Sequence, residues 1–269
     1  MTLEARHLTI TVDDHVLVRD ASIRCEPGQV VALLGPNGAG KSTLLGGLAG
    51  HRHSSGDVRL DGRALADWNA GELARCRGVL RQRSHLPFGF KVREVVEMGE
   101  TPWRTAGHEL QARPNALSSR ERALQYLDSV GLESFADRQY PTLSGGEKRR
   151  VQLARVMVQI RALERREHPR YLMLDEPLAS LDIAESARVL SRIRALGRAG
   201  VGVLCVFHDL NAAASVADSV VLMRSGEVVA QGPTRPNMSA EGLEACFGTP
   251  VTVSWDARGA PTIRAQLAT

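Results

Sequence analysis

The segment Gly35–Ser42, which reads Gly-Pro-Asn-Gly-Ala-Gly-Lys-Ser, leaves this chain few ways to fold. It matches the pattern G-x-x-x-x-G-K-[ST], whose glycines let successive backbone N–H groups point inward around phosphate groups. The apolar run before it, Val30–Leu34, predicts a buried strand, and Lys41–Leu48 predicts a helix whose positive end faces the anion. Strand, loop and helix in this order predict an α/β fold that binds a nucleoside triphosphate at the loop.

The side chains at the end of this loop predict how the phosphates are held. Lys41 is expected to neutralise the β- and γ-phosphate oxygens, and the Ser42 hydroxyl to bind Mg²⁺. Taken without its surroundings, the segment also fits a glycine-rich turn that binds nothing, but the flanking strand and helix favour the phosphate site. The predicted nucleotide-binding residues here are Gly35, Pro36, Asn37, Gly38, Ala39, Gly40, Lys41, Ser42 and Thr43.

A second apolar run, Tyr171–Leu174, is followed directly by two acidic residues, Asp175 and Glu176. The carboxyl ends of parallel strands are where α/β sheets bind ligands. Triphosphate hydrolysis needs a carboxylate on the metal and a group that positions the attacking water. We therefore expect Asp175 to hold the metal and Glu176 to accept a proton from water. Alone, such a pair fits a helix-capping turn better, and only the loop at Gly35–Ser42 reverses this balance.

Further patterns predict the remaining elements. Capping boxes open helices at Ser118, ending at Gly131, and at Ser144, continuing to about Gln159. The other predicted elements are a helix capped by Asp182 and running to about Leu196, a buried strand at Val201–Phe207, a hairpin across Val220–Val229 and a small hairpin after Pro250. Irregular structure is predicted for Thr101–Leu117 and Thr234–Ser239, because both contain proline.

Bulk composition narrows the class of protein. The 269 residues are 43% hydrophobic and 24% charged, with no run of 18 apolar residues, so no transmembrane helix is predicted. The first residues lack the layout of a signal peptide, and the four cysteines are dispersed, which together favour a cytosolic protein. The net charge of +4 comes without a basic run, so nucleic-acid binding is not indicated.

Residues Leu143–Glu147 read Leu-Ser-Gly-Gly-Glu and start a predicted helix with a serine cap and two glycines. Alone, they fit a well-capped helix as readily as an anion-facing nest of N–H groups. Together with the loop and the acidic pair, they resemble the signature sequence of ATP-binding-cassette (ABC) proteins, with Glu147 where glutamine is more usual. The resemblance implies that Ser144, Gly145 and Gly146 close over ATP held by a second copy, giving a homodimer with two nucleotides.

Other positions resemble the same family in the same order along the chain. Gln82 is similar to the glutamine that senses Mg²⁺ and the transport partner. Ala179–Asp182 is similar to the loop that communicates across the dimer, and His208 to the switch histidine at the γ-phosphate. The resemblance covers about residues 3 to 232. It implies Glu176, His208 and Gln82 as catalytic residues, Ser42, Gln82 and Asp175 as metal ligands, and ATP and Mg²⁺ as bound cofactors.

The fold implied by this resemblance is a single nucleotide-binding domain over 1–269. Its core would be a P-loop NTPase of the ABC ATPase type, with an antiparallel β lobe, a helical signature subdomain at about 83–160 and a C-terminal extension at about 250–269. Two positions depart from the family. No aromatic residue lies near Val12, where one usually stacks on adenine, so His15 or aliphatic contact would have to hold the base. Leu178 replaces a common threonine.

The resemblance also implies partners, because a chain without a membrane span needs separate transmembrane subunits to transport anything. We expect two permease subunits, an indirect link to a periplasmic haem- or iron-chelate-binding protein, and a position at the cytoplasmic face of the inner membrane. Phe88 and Phe90 are predicted to line the cleft that receives the permease.

Two segments point to the cargo. Val92–Gly99 resembles importers of iron chelates, haem and cobalamin, and the insertion Gln159–Arg170 resembles bacterial haemin importers, although a solvated helix end explains it more simply. Alternatives are a ferric-siderophore or cobalamin importer ATPase, a soluble ABC ATPase of repair or translation, and a degenerate nucleotide-binding regulator. Intact Lys41, Asp175, Glu176 and His208 argue against the last.

Overall fold

The structure is a computed structural model that describes residues 2–82, 86, 89–104, 117–161, 170–257 and 259–266. The strands are β1 (Leu3–Val12), β2 (His15–Cys25), β3 (Val30–Leu34), β4 (Ser55–Leu60), β5 (Arg63–Ala64), β6 (Arg77–Leu80), β7 (Arg170–Asp175), β8 (Val201–Val206), β9 (Ser219–Arg224), β10 (Glu227–Pro233), β11 (Val251–Trp255) and β12 (Pro261–Ala265). The helices are α1 (Lys41–Leu48), α2 (Ala70–Cys76), α3 (Val92–Glu97), α4 (Thr101–Arg104), α5 (Ser119–Ser129), α6 (Gly145–Gln159), α7 (Ile183–Arg198), α8 (Leu210–Val216), α9 (Thr234–Asn237) and α10 (Ala240–Phe247).

A six-stranded sheet in the order β10-β9-β3-β8-β7-β6 carries the candidate site. Its neighbouring strands are parallel from β9 through to β6, and only the β9–β10 hairpin is antiparallel. Strands β3, β7 and β8 are buried along their whole length, as both faces of a parallel sheet are covered. Because these strands run the same way, the residues that follow β3, β7 and β8 come together at one edge.

Two apolar clusters lie on opposite faces of this sheet. One contains α1 and the second, antiparallel sheet of order β2-β1-β4-β5. The other contains the helices α3, α5, α6 and α7. Along β3 the side chains alternate between the two: Val31 and Leu33 join the first cluster, whereas Ala32 and Leu34 join the second. The central strand is therefore held from both sides, which fixes the position of the phosphate loop that follows it.

Most predicted elements are confirmed at their predicted positions. The strand and helix around the phosphate loop are β3 and α1, and the capping boxes open α5 and α6. The hairpin β9–β10 turns at Ser225 and Gly226, both at positive φ, and β11 pairs with β12 after Pro250. The mixed α/β architecture is the fold class expected.

Two predictions of irregular structure are wrong where the structure describes them. Thr101–Arg104 forms the short helix α4, because buried Trp103 anchors it by donating its indole N–H to the Gln159 carbonyl at 2.7 Å. Thr234–Asn237 forms α9, whose Thr234 hydroxyl donates to the Ala217 carbonyl at 2.7 Å. In both cases a contact distant in sequence outweighs the local preference of proline. Residues 105–116 of the first segment lie outside the described residues.

Candidate functional site

The phosphate loop lies between β3 and α1, and its glycines are required by the backbone around them. Gly35 has φ 151°, and a Cβ there would lie 2.1 Å from the Met223 carbonyl oxygen. Gly40 has φ 95°, and a Cβ there would lie 2.6 Å from the Leu17 carbonyl oxygen. A side chain at either position would force the loop away from β9 or β2. The loop is thus shaped by contacts with strands that are remote in sequence.

Lys41 lies at the start of α1 with its ammonium group folded back over the loop. Its Nζ donates to the carbonyl oxygens of Gly35 at 2.8 Å and Pro36 at 2.9 Å, and the side chain is 6% exposed. Burial lowers the pKa of Lys41, while the nearby Glu176 and Asp175 carboxylates act in the opposite direction. The ammonium is therefore held at the mouth of the loop, where phosphate oxygens can replace the carbonyls as its acceptors. Thr43 lies two positions further along the helix and is half-buried.

Ser42 and Asp175, the two residues at the ends of the predicted motifs, are in contact although 133 positions separate them. The Ser42 hydroxyl donates to Asp175 Oδ1 at 2.8 Å. Asp175 ends β7 and is only 7% exposed; its burial raises the pKa of the carboxyl, which the hydrogen bond from Ser42 partly offsets. A hydroxyl beside a buried carboxylate supplies the oxygen ligands that Mg²⁺ prefers. The donor set therefore fits the metal, and the cavity beside this pair is also lined by Gln82.

Glu176 is held in an unusual backbone conformation with its carboxylate fixed by two side chains. Its φ is 53°, which is costly for a residue with a Cβ. His208 Nε2 lies 2.7 Å from Glu176 Oε1. Burial raises the pKa of this carboxyl, but the hydrogen bonds from His208 and Gln82 outweigh it, so that the pKa lies below its ordinary value. Glu176 is consequently an ionised acceptor at neutral pH.

The segment Ser144–Gly146 lies apart from this constellation. Ser144 caps α6: its Oγ accepts from Glu147 N at 3.2 Å, while Ser144 N donates to Glu147 Oε2 at 2.7 Å. A Cβ on Gly146 would lie 2.7 Å from the Ser180 carbonyl oxygen, whereas one on Gly145 would meet nothing within 4 Å among the described residues. The structure therefore brings Lys41, Ser42, Asp175, Glu176, Gln82 and His208 together. It leaves Ser144 and Gly145 exposed, whereas Gly146 is buried.

Arg149, on α6, was not predicted as a site residue, yet it contacts two of the predicted motifs. Its guanidinium donates to the carbonyl oxygen of Glu176 and to those of Arg81 and Gln82. In the sequence it stands in the run Lys148-Arg149-Arg150, which fits a solvated helix face. Only the packing of α6 against β6 and β7 distinguishes Arg149 from its neighbours.

The structure describes some of the residues predicted to contact adenine or the permease. Val12 is half-buried against the core, His15 is exposed, and the exposed aliphatic side chains Val16 and Leu17 follow. An aliphatic surface thus borders the phosphate loop, and stacking by His15 stays a prediction. Phe90 is half-buried against the core.

Two other predictions lie wholly or largely outside the described residues: Phe88, and most of the Gln159–Arg170 insertion. The first part of that insertion, Gln159–Arg161, ends α6 and the turn after it. Among the helices that the described residues form, none combines the length and the apolarity needed to cross a bilayer.

The chain is similar to known proteins over nearly all of its length. The family model described as "ABC transporter" matches residues 18–179. The hemin import ATP-binding protein HmuV of Ruegeria sp. (strain TM1040) is 41% identical over 248 residues, which is 92% of this chain and 91% of that protein. The protein of the same name from Bordetella bronchiseptica is 40% identical, over 99% of this chain and 98% of its own.

Solved structures share the fold at lower sequence identity. A metal-chelate type ABC transporter in an inward-facing conformation aligns with a TM-score of 0.76 at 24% identity, covering 99% of this chain and 98% of that one. The dimeric structure of MJ0796, a bacterial ABC transporter cassette, aligns with a TM-score of 0.71 at 24% identity, covering 87% of this chain and 99% of that one. Since the family model spans more than half of the chain and the relatives share about 40% of its residues, the protein belongs to the ABC transporter family.

Proposed function

We propose that this chain is the ATP-binding and ATP-hydrolysing subunit of a membrane importer for haemin or a related iron chelate. The proposal of ATP hydrolysis rests on one observation. The Ser42–Asp175 pair and the Glu176–His208 pair lie side by side at the edge of the sheet, next to the phosphate loop. A family member that had lost hydrolysis would have no reason to keep both pairs at hydrogen-bond distance. Haemin as the cargo is supported by the names of the relatives.

Each residue then has a role that follows from its position. The N–H groups of Gly35–Ser42 and the Lys41 ammonium hold the β- and γ-phosphates. Ser42, Asp175 and Gln82 are the proposed ligands of Mg²⁺, which when bound offsets the charge of the β- and γ-phosphate oxygens. Glu176 takes a proton from the attacking water, and His208 keeps the carboxylate oriented toward the γ-phosphate.

The exposed positions Ser144 and Gly145 at the start of α6 support a homodimer. A Cβ on Gly145 would meet nothing within 4 Å in the part of the chain that the structure describes, so this part gives no steric reason for a glycine there. Close approach by a second molecule would give one, because only glycine lets a backbone N–H come directly against a phosphate. We infer that two copies face each other, so that the helical part at about 83–160 of one copy covers the nucleotide of the other.

The chain would act at the cytoplasmic face of the inner membrane, beneath two transmembrane permease subunits that receive cargo from a periplasmic haem- or iron-chelate-binding protein. ATP binding closes the dimer and hydrolysis reopens it, which alternates access in the permease. Ferric-siderophore or cobalamin import is the second candidate, with a soluble ABC ATPase less favoured. No nucleic-acid partner is proposed, and the extension at about 250–269 has no assigned role.

The test is transport by a reconstituted complex. The chain is co-purified with its membrane subunits, placed in proteoliposomes, and supplied with MgATP on the side of the ATPase subunits. We expect accumulation of haemin that Glu176→Gln abolishes and that the surface control Glu227→Gln retains. If cobalamin or a ferric siderophore accumulates and haemin does not, the proposed cargo is wrong. If the intact complex does not hydrolyse ATP, the proposed ATPase activity is wrong.

A further inference from the structure

Arg149 forms a junction between three segments that lie far apart in the sequence. Its Nη1 donates to the carbonyl oxygens of Arg81 at 2.8 Å and Gln82 at 2.7 Å. Its Nε and Nη2 donate to the carbonyl oxygen of Glu176 at 3.2 Å and 2.8 Å. One guanidinium on α6 thereby holds the backbone after β6 and the backbone after β7. The planar fork of arginine permits this, since its donors point in fixed and different directions.

The two backbones held by Arg149 belong to side chains that hydrogen-bond each other. The Gln82 side chain is a hydrogen-bond partner of the Glu176 carboxylate, alongside His208. Fixing the carbonyl oxygens of Gln82 and Glu176 on one rigid group sets the spacing of their Cα atoms, and so the direction from which each side chain enters the site. The Arg149 hydrogen bonds go to backbone carbonyl oxygens and not to the Glu176 carboxylate.

Glu176 has particular need of such a contact. Its φ of 53° lies in the left-handed region, which a residue with a Cβ adopts only when its surroundings enforce it. Its carbonyl oxygen accepts two of the Arg149 hydrogen bonds, and its carboxylate accepts from His208 at 2.7 Å. The main chain and the side chain of this residue are thus anchored independently, the first by α6 and the second by the segment after β8.

We propose that Arg149 is a positioning residue for ATP hydrolysis, which aligns Glu176 and Gln82 from the helix that begins with Ser144–Gly146. This rests on the proposed function, in which Glu176 is the proton acceptor. A displacement of about 1 Å at a reacting group lowers turnover by up to about 10²-fold. Among the described residues, Arg149 donates to the carbonyl oxygens of Arg81, Gln82 and Glu176 and not to the phosphate loop, so we expect nucleotide affinity to change little when Arg149 is replaced.

The experiment compares Arg149→Gln and Arg149→Lys with wild type in steady-state ATP hydrolysis by the full-length chain. We expect kcat to fall about 10- to 100-fold in the Gln variant, while KM for ATP changes less than about threefold. Lysine keeps the charge but can reach only one direction, so its kcat should lie in between. Arg194→Gln is the matched control: Arg194 also lies on a helix and donates to a carbonyl oxygen of another element, that of Ser215 in α8 at 3.2 Å, and its loss should leave kcat unchanged.

Thermal unfolding and nucleotide affinity separate positioning from simple packing. If Arg149 only stabilised α6, kcat and ATP affinity would fall together with Tm; this result, or a kcat within twofold of wild type in both variants, overturns the inference. Glu176→Gln is measured in parallel. If wild type hydrolyses ATP, Glu176→Gln is inactive and both Arg149 variants are fully active, the Arg149 role alone is refuted. If wild type is inactive both alone and in the intact complex with its membrane subunits, the proposed function is refuted and this inference with it.

Discussion

The chain contains two glycine-bearing segments that each start a helix, and they differ in how the first turn is satisfied. At α1 the N-cap is Gly40, in the left-handed conformation and without a side-chain capping bond, and the first turn carries Lys41 and no acidic residue. At α6 the N-cap is Ser144, in a complete capping box with Glu147. The start of α1 leaves its N–H groups for an anion, whereas the start of α6 satisfies the N–H groups of Ser144 and Glu147 within its own chain.

This difference assigns unequal tasks to segments of similar composition. An uncapped helix N-terminus beside a buried cation binds an anion by itself. A capped one, carrying its own carboxylate, gains little from an anion unless that anion is already held elsewhere. We therefore expect the loop at Gly35–Ser42 to be the primary phosphate site, and we propose that Ser144–Gly146 covers phosphates bound by another copy. Five substitutions test the site and this division.

The largest effect is expected from Glu176→Gln. The substitution removes the ionised oxygen that takes the proton from water, while the amide retains most of the shape of the side chain. Turnover should fall by about 10²- to 10⁴-fold, the range for a positioned general base. MgATP affinity, measured by calorimetry, should stay within a few-fold of wild type because Lys41 and Ser42 are untouched. Retained turnover would mean that another group accepts the proton.

Lys41→Ala should weaken MgATP binding by about 10- to 100-fold, corresponding to the loss of a charge-assisted contact of about 1.5–3 kcal/mol. The matched control is Lys91→Ala, which removes an exposed lysine whose Nζ lies 3.5 Å from Asp137. Calorimetry should detect no change for the control. If Lys41→Ala bound MgATP as tightly as wild type, the uncapped start of α1 would not be the primary anion site.

His208→Ala should lower kcat about tenfold, the equivalent of one hydrogen bond to a charged group. It should also change the pH profile. Glu176 has a lowered pKa in the folded protein, so the ionised carboxylate is present above that pKa and is lost as pH falls through it. Removing the His208 donor raises this pKa, and the acidic limb of the kcat profile should move to higher pH. The pH profile is measured in matched buffers, and Tm is checked at each pH. If the acidic limb does not shift, His208 does not lower the pKa of the Glu176 carboxyl.

These expectations show which parts of the site were accessible from sequence. The loop at Gly35–Ser42, the capping box at Ser144 and the strand before Asp175 are local patterns, and local hydrogen bonding or periodicity determines each. The pairing of Ser42 with Asp175 followed from parallel strand order. The Arg149 contacts could not be predicted, because they depend on how α6 packs across β6 and β7. The short helix α4 escaped prediction for the same reason, since its anchor is the distant carbonyl of Gln159.

The smallest effect, and the sharpest test of the comparison, comes from two adjacent glycines of α6. A Cβ on Gly146 would lie 2.7 Å from the Ser180 carbonyl oxygen and 3.0 Å from Leu181 Cδ2. Such overpacking costs about 1–3 kcal/mol, and the better helix propensity of alanine returns up to about 1 kcal/mol. Gly146→Ala should therefore reduce the free energy of unfolding by about 1 kcal/mol, measured by urea denaturation.

Gly145→Ala should leave that free energy unchanged or slightly higher, since its Cβ meets nothing within 4 Å among the described residues. If Ser144–Gly146 covers the nucleotide of a second copy, the same methyl group must lie in the dimer interface. ATP-dependent dimerisation, followed by sedimentation in the Glu176→Gln background, should then be weaker in Gly145→Ala although the monomer is as stable as wild type. If Gly145→Ala dimerises normally, the exposure of Gly145 has a reason other than dimerisation. The starts of α1 and α6 would then differ only in how they are capped.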